Sequence, residues 1–341
     1  MSTQTIDTQS LAAYLGDRLP GLGPDLRAEK FAGGQSNPTF LLRDGDASYV
    51  LRRKPPGELL PSAHAVDREF RVLSALVDTD VPVARPYLLC EDESVIGSMF
   101  YVMEHLDGRV FWDPKLPEID TVEERGAMYD EMNRVLAALH SVDPEQVGLA
   151  DFGRPGNYFE RQINRWTKQY RASETEHSSA MEALISWLPE NMPADDGQVS
   201  LVHGDYRLDN LMFHATEPRI IGVLDWELST LGHPLADLSY QIMAWHLPDD
   251  QGIRGLAGVE RRAIGLPSDE DYIARYCERT GRAHIEHWNF YLVFCFFRLA
   301  AILQGVKKRA LIGTASSAEA EARGAMVEPL AELGLRYIEA A

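Results

Sequence analysis

The sequence predicts an α+β fold in two lobes, a small β-rich N-terminal lobe and a larger helical C-terminal lobe. Two observations predict it. Up to Met103, short apolar runs bounded by turn residues surround a single amphipathic stripe. After Gly108, apolar residues recur at helical spacing in one segment after another. The expected division is 1–103 for the first lobe, 104–108 for a connector and 109–341 for the second. Clefts between lobes are favoured places for ligands.

The elements follow in order. Leu11, Leu15 and Leu19 recur four apart, predicting a short helix that stops before Pro20. Phe31 to Pro38 is a turn cluster containing Gly33-Gly34. Thr39 to Leu42 and Tyr49 to Leu51 read as strands around a tight turn at Asp44-Gly45-Asp46, and Lys54-Pro55-Pro56-Gly57 stops the second. Val66, Phe70, Leu73 and Val77 form one helical stripe with Glu69 at its edge and Ser62 as the expected N-cap. Tyr87 to Leu89 and Met99 to Met103 read as further strands, giving three strands, one helix and two strands. In the second lobe, stripes run through Met128–Leu139, Phe159–Tyr170 and Met181–Leu188. Short β-rich runs at Val199–Val202, Leu211–Phe213 and Ile220–Leu224 interrupt them before helices resume. No repeat or low-complexity tract is present.

Composition narrows the function. With 33 basic and 52 acidic residues among 341, the net charge is −19, so phosphate backbones are repelled and no nucleic-acid partner is expected. Three widely spaced cysteines, Cys90, Cys277 and Cys295, make neither a disulfide framework nor a zinc-ribbon pattern, and a reducing, cytoplasmic location is expected. Met1 to Pro20 lacks the basic and apolar regions of a secretory signal. The most apolar stretch, Phe290 to Phe297, is followed by Arg298 and falls short of the roughly 20 residues of a membrane span. It reads as a buried helix, with no membrane partner.

The chemistry is concentrated in His203-Gly204-Asp205-Tyr206-Arg207-Leu208-Asp209-Asn210 and in Val223-Leu224-Asp225-Trp226-Glu227, each following a predicted strand. Asn210 and Asp225 offer oxygen ligands suited to a hard cation such as Mg²⁺. Asp205 is left to accept a proton from an attacking hydroxyl. Phosphoryl transfer needs this division between a positioned base and cations on the phosphates.

The His-x-Asp-x-x-x-x-Asn run with a strand-borne Asp resembles the catalytic loop and metal-binding Asp of the protein-kinase-like fold. The His-Gly-Asp and Asp-Trp-Glu variants resemble the aminoglycoside phosphotransferase family, from about Phe31 to at least Tyr240. Within it, Leu51-Arg52-Arg53-Lys54-Pro55-Pro56-Gly57-Glu58-Leu59-Leu60-Pro61-Ser62-Ala63-His64 is most similar to the kinase-like domains attached to some acyl-CoA dehydrogenases. At 341 residues, this chain is expected to carry no dehydrogenase.

The resemblance implies roles. Asp205 would be the general base, and Asn210 and Asp225 the Mg²⁺ ligands. Gly33, Gly34, Ser36 and Asn37 would form the phosphate-covering turn, and Glu69 would pair with a base on the third strand. That base is Arg52 where Lys is usual, which leaves either Arg52 or Lys54 to contact phosphate. Glu104 to Leu106 would present backbone groups to adenine, and Asp237 would brace the catalytic loop. His203 reads as a packed loop residue. The chain lacks G-x-G-x-x-G and Ala-Pro-Glu, and only eleven residues lie between Asp225 and Asp237, too few for a long activation loop. A small-molecule acceptor is therefore expected.

The resulting expectation is an ATP- and Mg²⁺-dependent kinase acting on a hydroxyl. The dehydrogenase-linked resemblance implies a hydroxyacyl thioester or hydroxy acid; the family name implies an aminoglycoside. For an acyl-CoA, Arg161, Arg165 and Lys168, or Lys307, Lys308 and Arg309, could supply a basic patch. Two other classes stay open. One is a catalytically silent nucleotide-binding module, suggested by Arg52. The other is a metal-dependent hydrolase built on His203, Asp205, Asp225 and His214.

Overall fold

The computed structural model describes residues 6–31, 37–55, 64–249, 254–313 and 320–339. The chain forms two compact units. The first comprises Met1–Arg109 with Met212–Leu228, and the second Val110–Leu211 with Ser229–Ala341.

In the first unit, α1 (Thr8–Leu15) is followed by β1 (Arg27–Lys30), β2 (Thr39–Asp44) and β3 (Ala47–Arg53). Then come α2 (Val66–Leu76), β4 (Pro86–Cys90) and β5 (Phe100–Glu104). The strands make an antiparallel sheet in the order β1-β2-β3-β5-β4. Alternation along each strand divides the work between its faces. Phe40, Leu42, Leu51, Phe100 and Val102 pack with Leu11 and Leu15 of α1 in one core. The register Thr39↔Arg52↔Tyr101 puts Arg52 on the opposite face, where α2 packs.

Several expectations shift. The first helix ends at Leu15, although Leu19 remains buried. Glu104 closes β5, paired with Tyr49, rather than opening a connector. Ser62 lies outside the described residues; the residue before α2 is Ala65, without a side-chain cap, while Asp67 and Glu69 supply negative charge to the first turn.

The chain also divides differently from the expected single connector, because 212–228 joins the first unit. Pairing is the cause. β6 (Gly108–Val110), β8 (Leu211–His214) and β9 (Ile220–Val223) form a sheet in the order β6-β8-β9. The Arg109 guanidinium donates to the carbonyls of His214 (3.0 Å) and Glu217 (3.2 Å). Gly108 permits the approach: a Cβ there would stand 2.4 Å from the Phe213 carbonyl oxygen.

The second unit holds α3 (Val122–Ser141), α4 (Tyr158–Ser173), α5 (Ser179–Glu190), β7 (Ser200–Val202) and β10 (Thr230–Gly232). It continues with α6 (Leu235–Trp245), α7 (Asp269–Thr280), α8 (Trp288–Leu311), α9 (Ala320–Ala325) and α10 (Val327–Glu339). The short strands β7 and β10 pair antiparallel. Helix α8 is the hub, packed by α4, α5, α6, α9 and α10. The apolar run Phe290–Phe297 is only part of it: at 24 residues, α8 is long and apolar enough to cross a membrane. Of its most apolar 18-residue window, 78 % is buried inside the unit, the position of a core helix.

Candidate active site

In the first unit the site is built around Arg52. Its Nε lies 2.7 Å from Glu69 Oε2, and its Nη2 lies 2.7 Å from Asp225 Oδ1 and 3.9 Å from Glu227 Oε2. Nη1 donates to Thr39 Oγ1, its neighbour in strand register. Burial pulls the Arg52 pKa down, but Glu69, Tyr101 and Asp225 hold it above its ordinary value, so the guanidinium stays charged. Glu69 is only 2 % exposed and is held from three sides. The Asn37 amide donates to Oε1 (2.7 Å), the Tyr101 hydroxyl donates to Oε2 (3.1 Å), and Arg52 completes the set. A buried carboxylate persists only with such compensation.

Asp225 follows β9 in a left-handed backbone conformation, φ +61°. Such a conformation is uncommon outside glycine, and Asp tolerates it better than most residues. The next residue explains the Asp-Trp-Glu sequence. Trp226 is buried, and its indole N–H donates to the Val223 carbonyl (3.0 Å), fixing the turn that presents Asp225. This turn packs against α2, the helix that carries Glu69.

In the second unit the loop after β7 alternates. Tyr206 and Leu208 point into the core, the Tyr206 hydroxyl donating to the Met132 carbonyl (2.8 Å), while Asp205, Arg207 and Asp209 face outward. The Asn210 amide donates to both the Asp205 carbonyl (2.8 Å) and Asp205 Oδ2 (2.9 Å). Tyr240, on α6, lies near enough to Asp205 to feel its charge. Burial, then the Asp205 charge, pushes the Tyr240 pKa up, so its proton stays in place. Arg207 pairs with Asp209 and stands 3.8 Å from Asp205 Oδ1.

The loop is clamped from behind. Asp237, in the first turn of α6, accepts from the amides of His203 (2.6 Å) and Gly204 (2.8 Å). Gly204 has φ +85°, which explains a glycine there. Its carbonyl accepts from the guanidinium of Arg298 on α8 (2.8 Å). Burial alone would raise the Asp237 pKa, but His140, 3.4 Å away, and the Gly204 amide hold it below the usual carboxylate range.

Asp237→Asn should therefore cost about 2–4 kcal/mol at pH 7, since hydrogen bonds to a charged acceptor are worth about 1.5–3 kcal/mol each. The sign of the pH dependence follows from the lowered pKa. The carboxylate's contribution is complete above its unfolded value of about 3.9 and is lost as pH falls through the lower folded value. Urea melts of the two proteins should therefore differ at pH 7, begin to converge only below about pH 4, and meet below the lowered folded value.

The residues singled out by sequence fall into two groups. Arg52, Glu69, Asp225 and Asn37 come together in the first unit, and Asp205 and Asn210 in the second. Asn37, expected in the phosphate-covering turn, is buried, with its amide on Glu69 and its Oδ1 at 3.0 Å from His64 Nδ1, so its side chain braces the glutamate. Gly33, Gly34 and Ser36 lie outside the described residues. The Glu104 amide is occupied by the Arg85 carbonyl (2.8 Å), and Leu106 packs over Gly222. Lys54 reaches Asp67 (3.8 Å), so Arg52 is the base that meets Glu69. His203 is fully buried with Nδ1 accepting from the Asp205 amide, which removes that nitrogen from metal binding. Among the described residues, a metal-like cluster of His and acidic groups occurs elsewhere, at Glu174, His177 and Glu182, where Arg171 pairs with both glutamates.

Sequence reasoning missed Arg298 and His140 as supports of the loop, and Tyr240 as a neighbour of the Asp205 charge. Only Arg298 carried a signal, a charge set directly after the most apolar run of the chain.

Comparisons with known proteins show the family and the fold. The sequence matches the phosphotransferase enzyme family over residues 27–278. Mouse acyl-CoA dehydrogenase family member 10 is 48 % identical over 334 residues, 97 % of this chain and 31 % of that protein. Mouse acyl-CoA dehydrogenase family member 11 is 45 % identical over 335 residues, 97 % of this chain and 43 % of that protein. The chain thus spans less than half the length of the curated relatives it matches. A crystal structure from Ralstonia eutropha JMP134, provisionally named an aminoglycoside phosphotransferase, is 53 % identical with TM-score 0.91 over 99 % of each chain. Spectinomycin phosphotransferase, solved with ADP and spectinomycin, shares the fold alone, at 13 % identity and TM-score 0.63 over 97 % of this chain and 98 % of that one. By sequence and by its α+β kinase-like fold, the chain belongs to the phosphotransferase enzyme family.

Proposed function

We propose that the chain is an ATP- and Mg²⁺-dependent kinase for a hydroxyl on a small molecule, with a hydroxyacyl thioester or hydroxy acid preferred to an aminoglycoside-like sugar. The observation that carries this reading is the Asp205 carboxylate, held outward by Asn210 on a loop clamped by Asp237 and Arg298. Asp205 orients the acceptor hydroxyl and takes its proton. The acceptor oxygen bonds to the γ-phosphorus as the bond to the β-phosphate oxygen breaks, and ADP leaves.

The donor set fits a hard cation. Asp225 is 39 % exposed with Oδ1 on Arg52, and Asn210 directs its amide nitrogen to Asp205. Asp225 Oδ2 in the first unit and Asn210 Oδ1 in the second are, each by itself, oxygens of the kind Mg²⁺ takes, and the bound cation would neutralise phosphate charge. Arg52 supplies a fixed positive charge to the phosphates, and backbone groups toward Leu106 serve adenine because the Glu104 amide is engaged. The family match and the dehydrogenase-linked relatives support the assignment of activity and acceptor. A cytoplasmic location without nucleic-acid or membrane partners is part of the same reading, supported by the −19 charge and three buried free thiols.

The test is ADP release from ATP·Mg²⁺ across hydroxy acids, hydroxyacyl-CoAs and kanamycin-like sugars, with and without Mg²⁺. Metal-dependent turnover with the first two classes is expected. Turnover of the sugars alone overturns the acceptor preference. The silent-module reading, motivated by Arg52 lying on the metal-ligand Asp225, gains if ATP·Mg²⁺ binds tightly and nothing is phosphorylated.

A further inference from the structure

One charge in the second unit lies where packing alone would not put it. Arg298 of α8 follows the buried apolar run Phe290–Phe297 and is itself only 7 % exposed. Among the described residues it makes no ion pair with a carboxylate; Asp237 helps to keep it charged from beyond that distance. Its Nε is buried without a hydrogen-bond partner. A guanidinium in such a place is costly, and a methionine would fill the space at less cost. The contacts it does make are specific. Its Nη2 donates to the Gly204 carbonyl at 2.8 Å. Its Cζ stands 5.4 Å from the Tyr240 ring centroid and 5.9 Å from that of Trp166, so two aromatic faces hold the cation.

The carbonyl it meets belongs to the peptide that joins Gly204 to Asp205. The N–H of that same peptide, on Asp205, donates to His203 Nδ1 at 3.2 Å, so both of its polar ends are held. The other supports of the loop act elsewhere. Asp237 accepts from the amides of His203 and Gly204, upstream of this peptide. Asn210 holds the Asp205 carbonyl and carboxylate, downstream of it. Gly204, at φ +85°, has no Cβ to oppose rotation, so sterics alone leave the next peptide more than one orientation. Turning that peptide rotates the bond entering Asp205 and re-aims its side chain.

We infer that Arg298 is a positioning residue: its buried guanidinium locks the Gly204–Asp205 peptide in the orientation that presents the Asp205 carboxylate outward. The inference rests on the proposed function only in calling Asp205 the base.

The experiment compares the full chain with its Arg298→Met and Arg298→Lys variants by hydrogen exchange at single-residue resolution and by steady-state kinetics. In Arg298→Met the Asp205 amide should exchange about 10- to 100-fold faster, the value of one hydrogen bond to a charged group. The His203 and Gly204 amides, held by Asp237, should keep their wild-type rates. With the hydroxyl acceptor that turns over fastest in the panel above, kcat should fall by a similar factor while the KM for ATP stays within about twofold. Arg298→Lys, which keeps a cationic donor, should recover most of both losses. Should Arg298→Met not fold, Arg298→Gln makes the same comparison with a neutral donor in place of the charge.

An Asp205 amide that exchanges at the wild-type rate in Arg298→Met overturns the inference. So does equal acceleration of the His203, Gly204 and Asp205 amides without recovery in Arg298→Lys, the mark of a general loosening of the core. In an active protein, an unchanged kcat overturns it as well. The outcomes also separate the lock from the proposed function. Selective exchange at Asp205, recovered by lysine, in a protein that phosphorylates no hydroxyl sustains the lock and removes the kinase. Transfer lost in Asp205→Asn but intact in Arg298→Met does the reverse.

Discussion

Asp205→Asn is expected to leave about 10⁻² to 10⁻⁴ of the wild-type kcat, while the KM for ATP stays within about twofold. The substitution keeps size and shape. The new amide oxygen can still accept from Asn210 Nδ2, which meets Oδ2 at 2.9 Å in the wild type, and the bond from the same Nδ2 to the Asp205 carbonyl is untouched. The clamp from Asp237 and Arg298 acts on the backbone of His203 and Gly204 and is equally unaffected. What disappears is a group that can take a proton from the acceptor hydroxyl. The change should therefore fall on the chemical step, with the thermal midpoint and nucleotide affinity close to wild type. Unchanged kcat would reject Asp205 as the base. A parallel loss of ATP binding would point to a role in holding the nucleotide.

Tyr240→Phe gives a graded companion to that result. It removes a hydroxyl beside the Asp205 charge but leaves the Asn210 bond, so kcat should fall about 3- to 30-fold. A simple packing role predicts a stability change with kcat preserved; a positioning role predicts the reverse. Steady-state kinetics together with urea unfolding separate the two.

The sequence exposed what is local. Asp205 and Asn210 are five residues apart on one loop, and strand alternation with the α2 stripe is enough to aim Arg52 and Glu69 at each other. Periodicity reports which side of an element is buried, however, and not what meets it there. For that reason Arg298, a charge at the end of an apolar run, did not reveal that it reaches back to Gly204. Asn37 sits in a turn-like sequence beside Gly33 and Gly34, yet its side chain is taken by a carboxylate 32 residues away. The passage of 212–228 into the first unit was hidden for the same reason, since the short strand β8 finds one partner, β6, about a hundred residues earlier, with β9 on its other side.

Arg52→Met should destabilise the protein by about 3–5 kcal/mol, the usual consequence of removing one partner from a buried ion pair. Against a total stability of about 5–15 kcal/mol this is a large fraction. Methionine preserves much of the side-chain volume, so the loss is electrostatic: Glu69, 2 % exposed, keeps its donors from Asn37 and Tyr101 but loses its counterion. Two further variants give the explanation its force. Adding Glu69→Gln to Arg52→Met should recover more than half of the lost stability, because a neutral amide in the same place needs no cation. Arg52→Lys should fall between wild type and Arg52→Met, since one ammonium cannot reproduce the planar fork that reaches Glu69 through Nε and Asp225 through Nη2. Urea midpoints for the four proteins decide the matter. If Glu69→Gln fails to rescue Arg52→Met, the arginine acts through packing against Thr39 and Tyr101, its neighbours in register, rather than through the carboxylate.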